Sequence, residues 1–196
     1  MRDKRFIHKK NRDNSLKMLK HVIDILNKHK IEYYLDFGTL LGAMRDNALI
    51  PWDDDLDISL VHQEDYSKIE NILNKIREEY NYRNYLLTIQ QPVSFTSSNS
   101  FRIAKLRSNM FWKFGRGKTT LDIFFKYKYK EQLYWISNEE INRVPANFLN
   151  QGLMEIDFYN IRCKVPVNFD AYLTSRYGNW RVEDKTWTEA ISITKV

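Results

Sequence analysis

Residues 55–60 contain the clearest alternation of polar and apolar positions in the chain. Every second residue is Leu or Ile, and a period of two is typical of a strand that buries one face. The pattern therefore predicts that the three apolar side chains face the core. It also predicts that Asp55 and Asp57 lie side by side on the opposite face of the strand.

Two longer stretches have the spacing of an amphipathic helix. Apolar residues recur every three or four positions in residues 14–30, where Asn14 or Ser15 would be the N-cap. The same spacing returns in residues 62–80. We expect both helices to bury one face.

Between these helices the chain is predicted to change from strand to helix and back. Residues 31–37 form a predicted strand that ends at a Gly38-Thr39 turn, and residues 40–45 can start a short helix. Pro51 restricts Ile50 to extended geometry and so directs the chain into the aspartate strand. The order strand, turn, helix, strand, helix is typical of an α/β domain.

The remaining pattern predicts mainly strands. Those expected in the middle of the chain are residues 85–91, 100–106 and 120–125, with a flexible basic loop at residues 115–118. The later pattern predicts a strand pair in residues 126–137 and a helix start at residues 137–140. It then predicts irregular hairpins in residues 144–165 and a final helix over residues 168–177, which Gly178 caps. With no repeat or low-complexity linker, we expect a single domain over residues 13–196 after a flexible basic leader over residues 1–12.

Composition limits the class of protein. The chain has 196 residues, of which 43% are hydrophobic, which is enough for one well-buried domain. Its one cysteine, Cys163, excludes an internal disulfide and a cysteine-based zinc site. No apolar run is long enough for a membrane span or a signal core. A cytoplasmic protein is the expectation.

The net charge of +6 at pH 7 favours anionic partners. The basic residues are scattered and form no arginine-rich arm or recognition helix, so we expect no nucleic acid partner. Phosphate groups on a small substrate would account for the positive charge equally well.

The acidic run at residues 53–57 is the strongest indication of chemistry. Two carboxylates at neighbouring positions of one strand face, here Asp55 and Asp57, repel each other unless they are protonated or bridged by a cation. Oxygen ligands of this kind suit Mg²⁺ or Mn²⁺, which bind a few carboxylates together with substrate phosphates. Asp53 is an alternative or supporting ligand, and Asp54 is expected to point away and anchor the loop.

The Gly38-Thr39 turn is a candidate phosphate site. Backbone amides at the start of a helix, with the Thr hydroxyl beside them, can bind an anion. A Gly-Thr pair or a group of aspartates near a proline is, on its own, commonly just a turn or a cap. Together and in this order, they indicate phosphoryl-type transfer.

Residues 35–60 resemble the signature of the LicD/fukutin phosphotransferase family. The matching residues are Asp36, Gly38-Thr39-Leu40-Leu41-Gly42, Arg45, Ile50-Pro51-Trp52-Asp53-Asp54-Asp55 and Asp57. Similar pieces follow at Leu121-Asp122-Ile123-Phe124, Val165-Pro166, Tyr172-Leu173 and Tyr177-Gly178-Asn179-Trp180. The similarity spans most of the chain and is more specific for the family than for the substrate.

The resemblance implies a nucleotidyltransferase-like mixed sheet flanked by helices. It implies that Asp122 is the third carboxylate beside Asp55 and Asp57, whereas the strand pattern alone allows Asp122 to be a surface acid. The implied activity is metal-dependent transfer of phosphocholine or ribitol phosphate from a CDP-linked donor to a hydroxyl of a glycan. Asp122 would complete the metal site or act on the acceptor hydroxyl.

Other residues are candidates for binding the donor. Gly38 and Thr39 would hold its phosphates, Arg45 can offer paired donors to them, and Trp52 could stack on a base, a sugar or a choline group. On the predicted strand before Asp122, Lys105 shares a face with Arg107 and opposes Arg102. Because of that parity, Lys105 and Arg107 are preferred over Arg102.

Three other functions stay open at this point. The chain could transfer a nucleoside monophosphate to a small acceptor, or it could be a catalytically silent module that binds a nucleotide or sugar. The intact acids Asp55, Asp57 and Asp122 argue against a silent module. Nucleic acid binding is supported by the net charge alone.

Overall fold

The computed structural model describes residues 5–109, 116–137 and 139–187. The helices in these ranges are α1 (Lys9–Lys28), α2 (Phe37–Asp46), α3 (Ile69–Tyr80) and α4 (Phe169–Tyr177). The strands are β1 (Tyr33–Leu35), β2 (Leu56–Leu60), β3 (Arg83–Thr88), β4 (Phe101–Asn109), β5 (Arg116–Phe124), β6 (Tyr127–Tyr129), β7 (Gln132–Ser137), β8 (Glu140–Pro145), β9 (Leu153–Phe158) and β10 (Ile161–Pro166). Short 3-10 helices cover Gln63–Lys68 and Ala146–Leu149.

A mixed five-stranded sheet carries the site, with the strand order β1-β2-β5-β4-β3. β2 and β5 are parallel neighbours, and the other pairs are antiparallel. α1 packs on β5 and on α3, so the helices cover the sheet. This architecture confirms the predicted fold class of a mixed sheet flanked by helices. β9 and β10 form a separate hairpin, and β6, β7 and β8 form a small second sheet.

The first helix begins earlier than the sequence pattern indicates. α1 starts at Lys9 instead of near Asn14, and Phe6 is buried with 2% of its surface exposed. The Phe6 N–H donates to the Asp53 carbonyl at 2.9 Å, and the Ile7 N–H donates to the Pro51 carbonyl at 2.7 Å. The prediction of a flexible leader is therefore wrong for residues 5–12, which hold the acidic loop. Residues 1–4 lie outside the described part of the chain.

Strand β2 is buried on both faces. All five of its residues are buried, including Asp57 and Ser59, so the expectation of one exposed face is wrong. The alternation of Asp, Ser, Leu and Ile predicted the strand correctly. It did not predict that polar side chains on the second face would be covered by other parts of the protein.

Helix α2 begins at Phe37, so Gly38 and Thr39 lie in its first turn and not in a turn before it. Asp36 is the N-cap, and its Oδ1 accepts a hydrogen bond from the Phe37 N–H at 2.8 Å. At the other end, a Cβ on Gly42 would overlap the Ala48 carbonyl oxygen, which explains the glycine there. The signature glycines thus let the chain pack closely around a short helix.

Of three predictions for the later half of the chain, two are wrong and one is confirmed. Residues 137–140 form no helix start, because β7 and β8 make a hairpin in which Ser137 pairs with Glu140. Asn138 lies outside the described residues. The predicted basic loop at residues 115–118 is replaced from Arg116 onward by β5, and Gly115 is not described. The final helix ends at Gly178, with φ of 67°, as predicted.

A fully buried ion pair joins the sheet to α2 and α4. The Lys126 Nζ lies 2.6 Å from the Asp36 Oδ2, and both side chains are almost completely excluded from solvent. The hydroxyls of Tyr172 and Ser59 donate to the Asp36 carboxylate, and the Lys126 Nζ donates to the Tyr172 hydroxyl at 2.9 Å. The Lys126 ammonium also lies within 5.4 Å of the ring centroids of four aromatic side chains, which are Tyr34, Phe37, Trp135 and Tyr172.

We expect Lys126→Met to reduce the free energy of unfolding by about 3–5 kcal/mol, because it leaves the Asp36 charge buried without a cation. The double variant Asp36→Asn/Lys126→Met should lose less than the sum of the two single variants. Denaturation in urea measures these values. The control is Lys128→Met, whose side chain is mostly exposed, with an expected change of about 0.5 kcal/mol or less. Additive losses in the double variant would contradict the role of the pair.

The buried Lys126 should also make stability depend on pH. Burial lowers the pKa of Lys126 from 10.5 to about 8, although the negative charge of Asp36 acts in the opposite direction and raises it. Between these values the unfolded chain binds more protons than the folded one, so the Lys126 contribution to stability rises with pH. The free energy of unfolding of the wild type minus that of Lys126→Met should increase from pH 8 to pH 10 by up to about 1.4 kcal/mol per pH unit. A flat difference would contradict the lowered pKa.

Candidate active site

Three aspartates meet where β2 begins beside the later part of β5. Asp57 lies on β2 and pairs in register with Asp122 on β5, and Asp55 directly precedes β2. One carboxylate oxygen from each of the three lies within 4.8 Å of the others. The structure thus brings together the residues that the sequence proposed as ligands, because parallel pairing places equivalent positions of two strands side by side.

Burial and repulsion from neighbouring acids disfavour the charged forms of Asp53, Asp55 and Asp57. Burial, followed by the neighbouring Asp55 charge, raises the pKa of Asp53 to about 7. Burial, followed by the Asp122 charge, raises the pKa of Asp55 to about 6. The same causes raise the pKa of Asp57 well above its ordinary value. Such a cluster needs protons or a cation to be stable at neutral pH.

One buried oxygen of the cluster lacks a partner, and this fits a divalent metal ion. The Asp122 Oδ2 contacts the Lys105 ammonium, but its Oδ1 is buried and has no hydrogen-bond partner within the described residues. A buried acceptor without a partner is costly, and a cation beside it would remove that cost. Three carboxylates are a ligand set that suits Mg²⁺ or Mn²⁺.

A second acidic group overlaps the first. Oxygens of Asp53, Asp54 and Asp55 also lie within 4.8 Å of one another. Asp54 is exposed and does not line the cavity described below, and the Asp53 Oδ1 already accepts the Asp54 N–H at 2.9 Å. The group of Asp55, Asp57 and Asp122 is therefore the better candidate for a metal site.

The acids open into a cavity of about 830 Å³. This volume lies in the range of small-molecule binding sites. Four further residues that the sequence proposed also line the cavity, namely Gly38, Arg45, Trp52 and Lys105. Arg45 makes a two-pronged contact to Asp46, with its Nε at 3.0 Å and its Nη2 at 2.8 Å. The Trp52 ring lies 5.1 Å from the Lys185 ammonium.

The structure does not bring Thr39 or Arg107 to the cavity. Thr39 is buried, and its Oγ1 accepts the Asp57 N–H at 2.9 Å. Its hydroxyl supports the acid-bearing strand, which corrects the prediction that it binds phosphate. Arg107 pairs with Thr120 and Arg83 across the sheet, away from the lining residues.

The Gly38 position is shaped by Asp53. A Cβ on residue 38 would overlap the Asp53 Oδ2, so only glycine allows this carboxylate to approach the start of α2. The space beside Gly38 that we predicted for a donor phosphate is thus partly filled by the protein's own acid. Gly38 still lines the cavity.

Sequence reasoning missed two arginines in the cavity. Arg102 lines it together with Lys105, although strand parity predicted that they oppose each other. The register between β3 and β4 shifts at this point, because Thr88 pairs with Phe101 while Leu87 pairs with Ile103. This β-bulge leaves Arg102 as the extra residue, and a bulge changes the direction of a side chain. Nothing in the sequence indicated it.

The second missed residue, Arg176, comes from α4 and is 3% exposed. Its guanidinium lies 4.2 Å from the centroid of the Phe37 ring. Phe37 has a φ of 43°, a left-handed conformation that is rare for an aromatic residue and costs about 1–3 kcal/mol. Residues in such conformations cluster at functional sites, and here the ring separates the cavity from the buried Lys126.

A family model described as "LicD/FKTN/FKRP, nucleotidyltransferase domain" matches residues 30–168, which is more than half of the chain. The chain belongs to this family. The resemblance seen in the signature of residues 35–60 is thereby confirmed. Asp55, Asp57 and Asp122 all lie inside the matched region, whereas α4 with Arg176 follows it.

Similar curated proteins support the same family. An uncharacterized protein of Rickettsia prowazekii is 26% identical over 83% of this chain and 53% of its own length. The lipopolysaccharide cholinephosphotransferase LicD of Haemophilus influenzae is 36% identical over 34% of this chain and 25% of its own. The human ribitol 5-phosphate transferase FKRP is 24% identical over 84% of this chain and 31% of its own. The chain thus spans about half, or less, of the length of these relatives.

We expect Asp122→Asn to abolish tight Mn²⁺ binding, because it removes a buried ligand of the cluster with Asp55 and Asp57. Asp54→Asn should change the affinity for Mn²⁺ by less than about 3-fold, since Asp54 belongs only to the overlapping group. Titration of Mn²⁺ followed by electron paramagnetic resonance measures both affinities. The reverse ranking of the two variants would move the metal site to Asp53, Asp54 and Asp55.

Proposed function

We propose that this protein is a metal-dependent phosphotransferase that moves a phospho-alcohol from a CDP-linked donor to a hydroxyl of a glycan. The phospho-alcohol would be of the phosphocholine or ribitol phosphate type. The observation that carries the proposal is the cluster of three carboxylates facing a cavity of about 830 Å³, inside the matched family region. The three carboxylates repel one another, so the cluster disfavours the folded state unless a cation binds to it. A role in binding a cation therefore explains the cluster better than a role in stability.

Each group of the site has a role in this reaction. Asp55, Asp57 and Asp122 would hold Mg²⁺ or Mn²⁺, which when bound neutralises charge on the donor diphosphate. The acceptor hydroxyl oxygen forms a new bond to the phosphorus next to the alcohol, and the bond from that phosphorus to the bridging oxygen breaks. CMP leaves, and a carboxylate of the cluster takes the hydroxyl proton. Asp122 either completes the metal site or takes this proton.

The type of phospho-alcohol and the glycan acceptor are suggested by the names of the relatives, while the CDP-linked donor stays a prediction from the resemblance. One relative is named as a lipopolysaccharide cholinephosphotransferase and another as a ribitol 5-phosphate transferase. Trp52 supports either head group or the cytosine ring, because its face can stack on a base or attract a cationic choline. Its face already lies near the Lys185 ammonium, which shows that a cation is accommodated there.

Two expectations concern the cellular setting. No helix within the described residues has the length and apolar character needed to cross a membrane. The cytoplasmic location and the absence of a nucleic acid partner stay predictions from the sequence.

The test is calorimetric titration of the protein with CDP-choline, CDP-ribitol, CTP and UTP, each with Mn²⁺ and with EDTA. We expect one CDP-alcohol to bind in the presence of Mn²⁺ and to lose most of its affinity in EDTA, because the diphosphate needs the cation on the acids. Asp55→Ala/Asp57→Ala should abolish the binding, while Asp54→Asn should retain it.

Product masses then identify the reaction. Incubation with the bound CDP-alcohol and a glycan acceptor should release CMP and add the phospho-alcohol to the acceptor. Addition of cytidine monophosphate to the acceptor would instead show a nucleotidyltransferase. If the nucleotide affinity is unchanged both in EDTA and in Asp55→Ala/Asp57→Ala, the protein is a silent nucleotide-binding module and the proposal is refuted.

A further inference from the structure

Among the described residues, four cationic side chains line the cavity, and three of them already have partners. Lys105 contacts the Asp122 carboxylate, Arg45 contacts Asp46 through two nitrogens, and the Arg176 Nε lies 3.3 Å from the Tyr177 hydroxyl. The fourth is Arg102, which lines the same cavity. Lys105, Arg45 and Arg176 thus already interact with other protein groups, which leaves Arg102 as the cation to consider for binding a ligand.

Arg102 has no acidic partner within the part of the chain that the structure describes. Its Nε is buried and lacks a hydrogen-bond acceptor among those residues. A guanidinium offers five donors and no acceptor, and a buried donor without a partner is costly. The Arg102 side chain thus has a hydrogen-bond donor without an acceptor, beside a cavity that also contains the candidate metal site of Asp55, Asp57 and Asp122.

The position of Arg102 along β4 relates it to that cluster. Lys105 pairs in register with Asp122, and Arg102 lies three residues before Lys105. This separation is about 10 Å along a strand, which a long side chain and a diphosphate can bridge together. Arg102 is the extra residue of a bulge and also lines the cavity, and bulges are over-represented next to active sites.

We propose that Arg102 binds a phosphate group of the donor diphosphate, as the anion-binding residue that complements the acidic cluster. A planar guanidinium can donate two parallel hydrogen bonds to one phosphate. The inference rests on the proposed function for the identity of the donor. It rests on the cavity alone for the chemistry, which is recognition of a phosphate anion.

The experiment compares Arg102→Gln with Arg107→Gln, an arginine of the same strand that does not line the cavity. The probes are CDP, cytidine and inorganic pyrophosphate, each titrated calorimetrically with Mn²⁺ present. Arg102→Gln should weaken CDP by about 10- to 100-fold and leave cytidine unchanged, because one charge-assisted contact to phosphate is lost. Arg107→Gln should stay within about 2-fold of the wild type. Arg102→Lys should recover part of the affinity, since it keeps the charge without the paired geometry.

The outcomes separate this inference from the proposed function. If the wild type binds pyrophosphate but no cytidine nucleotide, and Arg102→Gln loses pyrophosphate, then the donor class is wrong and the role of Arg102 stands. Equal CDP affinity of Arg102→Gln and the wild type overturns the role of Arg102. So does an equal loss in Arg107→Gln, or a wild type that binds neither CDP nor pyrophosphate. Unchanged thermal midpoints of the variants would show that folding is unaffected.

Discussion

The buried contact between Asp36 and Lys126 links two of the elements around the cavity, α2 and α4. One carboxylate caps α2 through the Phe37 N–H and also accepts the hydroxyl of Tyr172 from α4. α2 carries Gly38 and Arg45, and α4 carries Arg176, so two walls of the cavity depend on this single side chain. A buried ion pair adds little net stability after its desolvation cost. Its main consequence here is therefore the arrangement of these elements relative to one another.

The buried Asp36 and the acidic cluster of Asp55, Asp57 and Asp122 have very different sets of partners. Asp36 receives an ammonium, two hydroxyls and a backbone N–H, which is a complete set of partners for a carboxylate. Within the described residues, the cluster of Asp55, Asp57 and Asp122 receives one ammonium, from Lys105, and burial together with the neighbouring acids raises the pKa of Asp55 and of Asp57. A fold that can neutralise one buried acid so fully has left the other group short of positive charge. This contrast indicates a structural role for Asp36 and a ligand-binding role for the cluster of Asp55, Asp57 and Asp122.

The parts of the site that follow from local pattern were predictable. Alternation in residues 55–60 gave the strand and the adjacency of Asp55 and Asp57, and the resemblance to the family placed Asp122 beside them. The mixed sheet followed from the order of elements. These features depend on periodicity and strand pairing, which leave a direct trace in the sequence.

The missed features depend on tertiary contacts that have no such trace. Lys126 follows an apolar strand and reads as an ordinary surface lysine, because its partner Asp36 is distant in sequence. Strand parity predicts that Arg102 lies on the face opposite Lys105. A single bulge changes this parity, and no glycine or proline in the strand indicates the bulge. Thr39 was assigned to a ligand because a hydroxyl beside a helix start can bind an anion. The structure uses that hydroxyl for the Asp57 N–H instead.

The cavity has two chemically different sides, and this difference limits how a donor can lie in it. The acids and Arg102 come from the sheet, within the region that matches the family model. The side formed after α4 includes Trp180, Glu183, Asp184 and Trp187, which lie beyond that region. Carboxylates there repel phosphate, whereas aromatic rings and carboxylates suit a sugar or a cationic head group. Under the proposed function, a cation on Asp55, Asp57 and Asp122 would offset their repulsion of phosphate, so the diphosphate would lie toward the sheet and the variable group toward the segment after α4. The proposed metal chemistry thus belongs to the sheet, inside the region that the family model matches, and the proposed choice of substrate belongs to the segment after α4, which follows that region.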